Sequence, residues 1–139
     1  MSSLSVIAVE TFINQPVEKV WALWTEPQNI QCWNHASNDW HTPYAENNLQ
    51  VGGHFLYRME AKDGSFGFDF SGTYTQVILH DTITYTTDDD RKVSVFFKKT
   101  LEGTQITENF EAEETNPIEM QKMGWQSILD NFKKYAESQ

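Results

Sequence analysis

The spacing of turn signals between residues 39 and 112 constrains the fold of this chain most strongly. Segments rich in β-branched and aromatic residues alternate there with polar or glycine-containing turns, and each gap is only a few residues long. Such short gaps can join antiparallel strands, whereas parallel strands need a crossover of about a dozen residues or more. The pattern therefore predicts an antiparallel meander. Its strands are predicted at residues 39–45, 54–60, 66–77, 82–86, 92–100 and 104–112.

One more strand and two short helices are predicted before the meander. Residues 4–14 are rich in β-branched and aromatic side chains. Pro16 follows them and suits a first helical turn, with Asn14 or Gln15 as its cap. Residues 28–33 add a further helical turn or two. The apolar face of the first helix, at i, i+3, i+4 and i+7, consists of Val17, Val20, Trp21 and Trp24.

A long amphipathic helix is predicted at the end of the chain. Asn116, Pro117 and Glu119 provide a capping residue, a first-position proline and a third-position acid, which is a capping-box arrangement. Lys133 and Lys134 lie near the predicted C-terminus, where the helix dipole favours positive charge. The apolar stripe of this helix consists of Ile118, Trp125, Ile128, Leu129, Phe132 and Ala136.

Together these segments predict a single α+β domain over residues 1–139. A curved antiparallel sheet of six or seven strands wraps around the long C-terminal helix, and two short helices follow the first strand. A sheet with one apolar face needs a cover, and one helix can supply it. Because a strongly bent sheet and one helix do not close perfectly, we expect a pocket between them.

Composition argues against several classes of function. The chain has 10 Lys and Arg against 20 Asp and Glu, a formal net charge of -10. This balance argues against nucleic acid and membrane surfaces as partners, since both attract basic proteins. No apolar run approaches the roughly 20 residues of a membrane span, and no secretion signal is visible. The single cysteine, Cys32, excludes an internal disulfide, so a cytoplasmic location is expected.

Neither a metal nor a cofactor is predicted. The run Asp88–Asp90 lacks the glycine and the distal glutamate of a calcium loop, and it is interpreted as a solvated turn. Cys32 is interpreted as packing rather than as a nucleophile. Metal-ligand spacing is missing among the four histidines, His35, His41, His54 and His80.

The order of several short motifs resembles a known family. The chain is similar to the START-like (SRPBCC, helix-grip) superfamily, in the branch named for the activator of the heat-shock chaperone ATPase. A subset of the motifs is similar to a group of small bacterial proteins within it, through Trp40–Pro43 and Gly67–Phe70. The wider resemblance rests on Pro16–Trp21 with Trp24, Thr25 and Pro27, Trp33, Leu49–Phe55, Gly72–Tyr74, and Gly124, Trp125, Leu129 and Tyr135.

The resemblance implies a fold more firmly than a function. The superfamily includes lipid carriers, plant hormone-binding proteins, polyketide cyclases and chaperone co-activators, and the fold alone does not choose among them.

Nineteen aromatic rings, 14% of the chain, are more than a domain of this size needs for its core. We therefore predict a cavity walled by rings. Its candidate ligand-binding residues are Trp40, His41, Tyr57, Phe68, Phe70, Tyr85, Phe97, Glu108, Trp125 and Leu129.

Two positions in this set leave alternatives open. Glu108 shares strand parity with Ile106 and Phe110, so it is predicted to point inward, but an exposed or ion-paired position is equally compatible with the sequence. Gly124 interrupts the last helix, either because the helix approaches the sheet closely there or because a ligand needs room beside Trp125.

Three functions follow from these predictions. The leading hypothesis is a non-catalytic protein that binds a small apolar or aromatic molecule between sheet and helix. The second is a cyclase- or hydrolase-type enzyme with His41 and Glu108 as acid and base, which requires both side chains to reach one cavity. The third is a chaperone- or stress-linked interaction protein, which requires a contiguous exposed apolar or acidic patch.

Overall fold

The architecture follows the predicted order of elements. A computed structural model describes residues 5–139. Its elements are β1 (Val6–Ile13), α1 (Val17–Thr25), α2 (Pro27–Trp33), β2 (Trp40–Asn47), β3 (His54–Ala61), β4 (Gly67–Ile78), β5 (Thr82–Thr87), β6 (Lys92–Lys99), β7 (Thr104–Glu111) and α3 (Ile118–Glu137).

All seven strands belong to one antiparallel sheet in the order β1-β7-β6-β5-β4-β3-β2. From β2 to β7 every strand pairs with its neighbour in sequence, which confirms the predicted meander. The strand β1 pairs with β7, from Val6 opposite Glu111 to Ile13 opposite Thr104, and is the last strand at that edge of the sheet. The prediction for residues 4–14 is confirmed from Val6 to Ile13, and Leu4 lies outside the described residues.

The sheet curls into a half-barrel, and local irregularities mark where its strands bend. The pairing register shifts between His41 and Tyr44 on β2, and between Tyr74 and Gln76 on β4. Such bulges bend a strand and increase its twist. Gly72 lies within β4, where a Cβ atom would come 2.7 Å from the Thr86 carbonyl oxygen. Only glycine fits this close approach.

The three helices pack on the concave face of the sheet. Here α3 lies against β1, α2 against β2, and α1 against β6. Three rings join the helices: Trp24 of α1 and Trp33 of α2 lie 4.9 Å and 4.8 Å, respectively, from the ring centroid of Phe132 of α3. This cluster packs the three helices against one another. No helix among residues 5–139 is long and apolar enough to cross a membrane.

The predicted helix caps are wrong in both places. The N-cap residue of α1 is Pro16 and that of α3 is Pro117, and neither helix has a side-chain cap hydrogen bond. Each proline has an extended ψ, of 152° and 145°, so it is the last residue before the helix rather than its first turn. Asn116 therefore lies one residue too early to serve as the cap.

Candidate functional site

A cavity of about 300 Å³ lies between the sheet and α3. Its walls come from the middle of the sheet, from the α1–α2 region and from one face of α3. The lining residues are Trp24, Thr25, Trp33, Asn34, Asn47, Phe55, Tyr57, Met59, Phe68, Phe70, Tyr74, Ile83, Tyr85, Arg91, Glu108, Glu113, Asn116, Gln121, Trp125 and Ile128.

Phe55 forms the centre of the aromatic wall. Its ring centroid lies 5.0 Å from that of Tyr57, 5.6 Å from Phe70, 5.4 Å from Tyr74 and 4.8 Å from Tyr85. These residues belong to β3, β4 and β5, on the concave face where the strands are adjacent. The rings support one another through tilted and edge contacts, which aromatic pairs prefer. The wall is therefore a packed layer rather than a set of independent side chains.

Trp125 faces this wall from α3. Its ring stacks on Phe110 at a centroid distance of 4.0 Å and meets the edge of Phe70 at 6.0 Å. The preceding residue, Gly124, does not approach the sheet, because an added Cβ atom would meet nothing within 4 Å. The first of the two explanations for this glycine, close packing against the sheet, is therefore wrong.

Glu108 points into the cavity from β7, as its parity predicted. Ile106 and Phe110, two positions away on either side, are fully buried, and Glu108 itself is only 6% exposed. Within residues 5–139 its carboxyl makes no hydrogen bond and no ion pair. Burial without a compensating partner raises the pKa of Glu108 to about 8. At neutral pH the cavity therefore contains a mainly protonated carboxyl group.

Three tyrosines supply the other polar groups of the wall. Burial raises the pKa of Tyr57, Tyr74 and Tyr85 above the ordinary value, and the Glu108 carboxyl adds to this effect at Tyr85. The Tyr74 hydroxyl donates to Asn47 Oδ1 at 2.5 Å. All three phenols are therefore neutral across the physiological pH range.

A polar segment between β7 and α3 borders the cavity. The Gln121 side chain donates to the carbonyl oxygens of Glu113 and Asn116 at 3.0 and 2.8 Å, and it accepts from the Glu113 N–H at 2.9 Å. Gln121 is buried, so these bonds replace contacts with water. The segment is thereby fixed to the first turns of α3. On the other side, Arg91 is bonded to Asp89 Oδ2 at 2.9 Å.

The structure brings six of the ten predicted site residues together around the cavity. Trp125, Phe70, Tyr57, Tyr85, Glu108 and Phe68 all line it. Phe68 is also 40% exposed and lies at the outer end of the wall.

The other four predicted residues do not line the cavity. Phe97 is buried against Trp21 and Trp24, at centroid distances of 5.1 and 5.8 Å, and Leu129 is fully buried in the helical core. Both belong to the hydrophobic core of the domain.

Trp40 and His41 belong to the edge strand β2, before its register shift. Trp40 packs on Phe66 and Phe68 at 6.0 and 6.1 Å, and the His41 ring is 42% exposed with its Nε2 3.8 Å from Glu60 Oε1. His41 and Glu108 therefore do not reach one cavity, and the predicted acid–base pair is not formed.

Several lining residues were missing from the predicted set. Phe55, Met59 and Ile128 share an inward face with residues that were predicted, and strand or helix periodicity alone identifies them. The same periodicity identifies Tyr74 on β4 and Ile83 on β5. The remaining lining residues are polar or lie outside the strands that carry the main wall, and periodicity does not select them. Among residues 5–139 no group of three His, Cys, Asp or Glu side chains could hold a metal ion. The lining residues that periodicity does not select are Trp24, Thr25, Trp33, Asn34, Asn47, Arg91, Glu113, Asn116 and Gln121.

Comparison with known proteins identifies the family. Residues 14–137 match the family described as activator of Hsp90 ATPase homolog 1-like protein. The chain belongs to this family. The match covers nearly all of the described residues, which agrees with the resemblance inferred from the motifs. Among curated proteins, none matches the chain.

Solved structures support the same assignment. The AHSA1-like protein from Aeromonas hydrophila is 46% identical with a TM-score of 0.91, over 96% of this chain and 93% of that one. Chr148 from Cytophaga hutchinsonii is 50% identical with a TM-score of 0.83, over 95% and 92%. CV1439 from Chromobacterium violaceum is 20% identical with a TM-score of 0.86, over 96% and 98%, and shows the shared fold alone.

Proposed function

We propose that this protein binds a small, largely aromatic molecule in the cavity between sheet and α3, without transforming it. The observation that supports this function is the ring-lined cavity of about 300 Å³. An apolar cavity of about 150 Å³ holds one benzene molecule. A volume of about 300 Å³ therefore has room for roughly two rings, at the lower end of the range for ligand pockets.

The wall chemistry supports binding rather than catalysis. Most of the side chains that line the cavity are rings and aliphatic groups, which hold a ligand through contact area. Glu108 lacks the second acid or base that His41 was predicted to supply. The chaperone-linked hypothesis stays a prediction, and a pull-down with the purified domain tests it.

Titration with indole, a neutral two-ring compound, tests the proposed function. Calorimetry is expected to give a dissociation constant below about 1 mM. In ¹⁵N-labelled protein, the largest shift changes are expected at the Trp125 Nε1–H and at the backbone amides of Tyr85 and Glu108.

A matched pair of substitutions on α3 locates the site. Ile128→Trp places a larger side chain into the cavity and is expected to weaken indole binding at least tenfold. Ile118→Trp makes the same change at an exposed position outside the lining, and is expected to leave binding unchanged. Equal binding by both variants, or shift changes confined to the outer surface, would contradict the proposed function.

A further inference from the structure

The buried carboxyl of Glu108 restricts the chemistry of the ligand further. An inward position on β7 suits an apolar residue, as its neighbours Ile106 and Phe110 show. A carboxyl group at that position without a hydrogen-bond partner lowers stability. The cavity thus contains a carboxyl group that makes no hydrogen bond or ion pair with the described residues. A ligand that pairs with this group would offset the cost.

The groups around Glu108 leave it without an internal cation. The titratable and charged residues that face the cavity are Tyr57 on β3, Tyr74 on β4, Tyr85 on β5, Arg91 before β6 and Glu113 after β7. The α1–α2 region and α3 contribute neither acids nor bases to the lining.

Arg91 and Glu113 already have other partners. The Nε atom of Arg91 bonds Asp89, and its Nη1 donates to the Glu111 carbonyl oxygen at 3.4 Å. Glu113 Oε1 accepts from the Asn116 N–H at 2.6 Å. Arg91 is the one cationic side chain among the described lining residues, and it is held at the edge of the cavity by these contacts.

Charge and ring geometry both favour a cation as the missing partner. The faces of Tyr57, Phe70, Tyr85 and Trp125 carry the negative side of the aromatic quadrupole, which attracts ammonium groups. The net charge of -10 attracts cations to the protein and repels anions. An anionic ligand would meet Glu108, Glu113 and the ring faces, and the one cationic side chain among the described lining residues, Arg91, already forms an ion pair with Asp89.

We propose that the ligand is a small aromatic amine whose ammonium group pairs with the Glu108 carboxylate while its rings lie against Phe70 and Trp125. This inference rests on the small-molecule function proposed above and specifies the class of ligand. Glu108 is mainly protonated before the ligand binds, so binding of an ammonium ion at neutral pH releases the carboxyl proton to water. One N–H⁺···O⁻ pair forms, and no covalent bond changes.

Three indole derivatives of similar size test the inference. Tryptamine carries an ammonium group, tryptophol a hydroxyl group and indole-3-acetate a carboxylate. At pH 8.5 tryptamine is expected to bind at least tenfold more tightly than tryptophol, and indole-3-acetate most weakly. Below pH 8 the affinity for tryptamine is expected to fall about tenfold per pH unit, because Glu108 must lose its proton. Tryptophol affinity is expected to stay nearly constant over this range.

Two variants separate the local contact from the overall charge. Glu108→Gln is expected to abolish both the tryptamine preference and its pH dependence, so that tryptamine and tryptophol bind this variant with similar affinities. Glu114→Gln removes the same charge at an exposed position and is expected to leave the preference intact. Calorimetry of the unchanged protein at pH 7, in buffers of different ionisation enthalpy, should show release of nearly one proton per tryptamine bound.

The outcomes distinguish this inference from the function on which it rests. If tryptophol binds as tightly as tryptamine, or if Glu108→Gln leaves tryptamine binding unchanged, the amine inference is overturned and the binding function remains. If indole and all three derivatives fail to bind, both are overturned. The proton-release measurement needs no variant, so it decides the matter even if Glu108→Gln does not fold.

Discussion

Phe110 and Trp125 stack face to face, with ring centroids 4.0 Å apart and ring planes 10° from parallel. Phe110 belongs to β7 and is fully buried, whereas Trp125 belongs to α3 and lines the cavity. The stack therefore fixes the distance between the helix and the sheet at the place where the cavity begins. Trp125 therefore both contacts the sheet, through Phe110, and contributes to the cavity wall.

Replacement of Trp125 is expected to weaken the fold as well as the cavity wall. Trp125→Ala removes the stack on Phe110, and we expect the free energy of unfolding to fall by about 2–3 kcal/mol, less than for a fully buried tryptophan. Trp125→Phe keeps a ring in place and should lose less than half of that amount. Urea unfolding of the three proteins measures the difference. Equal stability of the alanine and phenylalanine variants would show that stacking is unimportant here.

Substitution of two glycines should have opposite effects on stability. A Cβ atom at Gly124 meets nothing within 4 Å, so Gly124→Ala should raise the free energy of unfolding by up to about 1 kcal/mol through better helix propensity. At Gly72 a Cβ atom would lie 2.9 Å from the Phe55 ring and 2.7 Å from a backbone oxygen. Gly72→Ala should therefore lower the free energy of unfolding by about 1–3 kcal/mol. Thermal unfolding measures whether each variant is more or less stable than the unchanged protein. Destabilisation by Gly124→Ala would contradict the open space beside Gly124.

Loss of the Gln121 side chain should release the segment between β7 and α3. Gln121→Ala leaves the Glu113 N–H and two carbonyl oxygens without their partner, so we expect a loss of about 2–3 kcal/mol. Hydrogen exchange at the Glu113 amide should accelerate in this variant. Lys122→Ala, one residue along on the exposed side of the helix, is the control and should change neither quantity. Unchanged hydrogen exchange at the Glu113 amide in Gln121→Ala would argue against this role of the Gln121 hydrogen bonds.

His35 is expected to make the fold less stable as the pH falls below its ordinary pKa of 6.5. Burial, followed by the charges of Lys62 and His41, lowers the pKa of His35 in the folded state. Its Nε2 lies 3.0 Å from the Asn131 amide nitrogen, which also donates to the Trp33 carbonyl oxygen and so requires a neutral acceptor.

The direction of this change in stability follows from proton uptake. As the pH drops through 6.5, the unfolded chain binds a proton at this residue before the folded protein does, so unfolding becomes easier. The stability of His35→Gln should fall less between pH 7.5 and pH 5.5 than that of the unchanged protein, as measured by urea unfolding. A parallel decline in the two proteins would refute this role.

Glu108 is expected to shift stability in the opposite pH direction. Its pKa rises to about 8 on folding, so above its ordinary pKa of 4.5 the unfolded chain loses the proton first and is favoured. This penalty grows between pH 4.5 and pH 8 and then levels off. Glu108→Gln should therefore become progressively more stable than the unchanged protein over that interval, by on the order of a few kcal/mol at pH 8. A difference independent of pH would show that the carboxyl is not buried in its neutral form.

Local sequence patterns determined the order of elements and the topology of the sheet. Turn signals and short gaps act over a few residues, so they predicted the meander and all seven strands, with bounds that differ by two residues or fewer. The helical stripe of α3 and the inward parity of Glu108 are local in the same sense. The predicted cap of α3 was wrong because the capping pattern of Asn116 and Glu119 assumes that Pro117 is the first helical residue. In the structure Pro117 is still extended and the helix begins one residue later.

Tertiary structure alone decided which side chains line the cavity. Phe97 and Leu129 have the same apolar character as Phe70 and Trp125, but Phe97 packs under Trp21 and Trp24 of α1 and Leu129 is fully buried in the core. Trp40 and His41 lie at the start of the edge strand β2, where Trp40 packs on Phe66 and Phe68 and the His41 ring is 42% exposed. Many contacts between residues far apart in sequence determine how the sheet curls and where α3 packs on β1. Periodicity within one segment therefore cannot specify either.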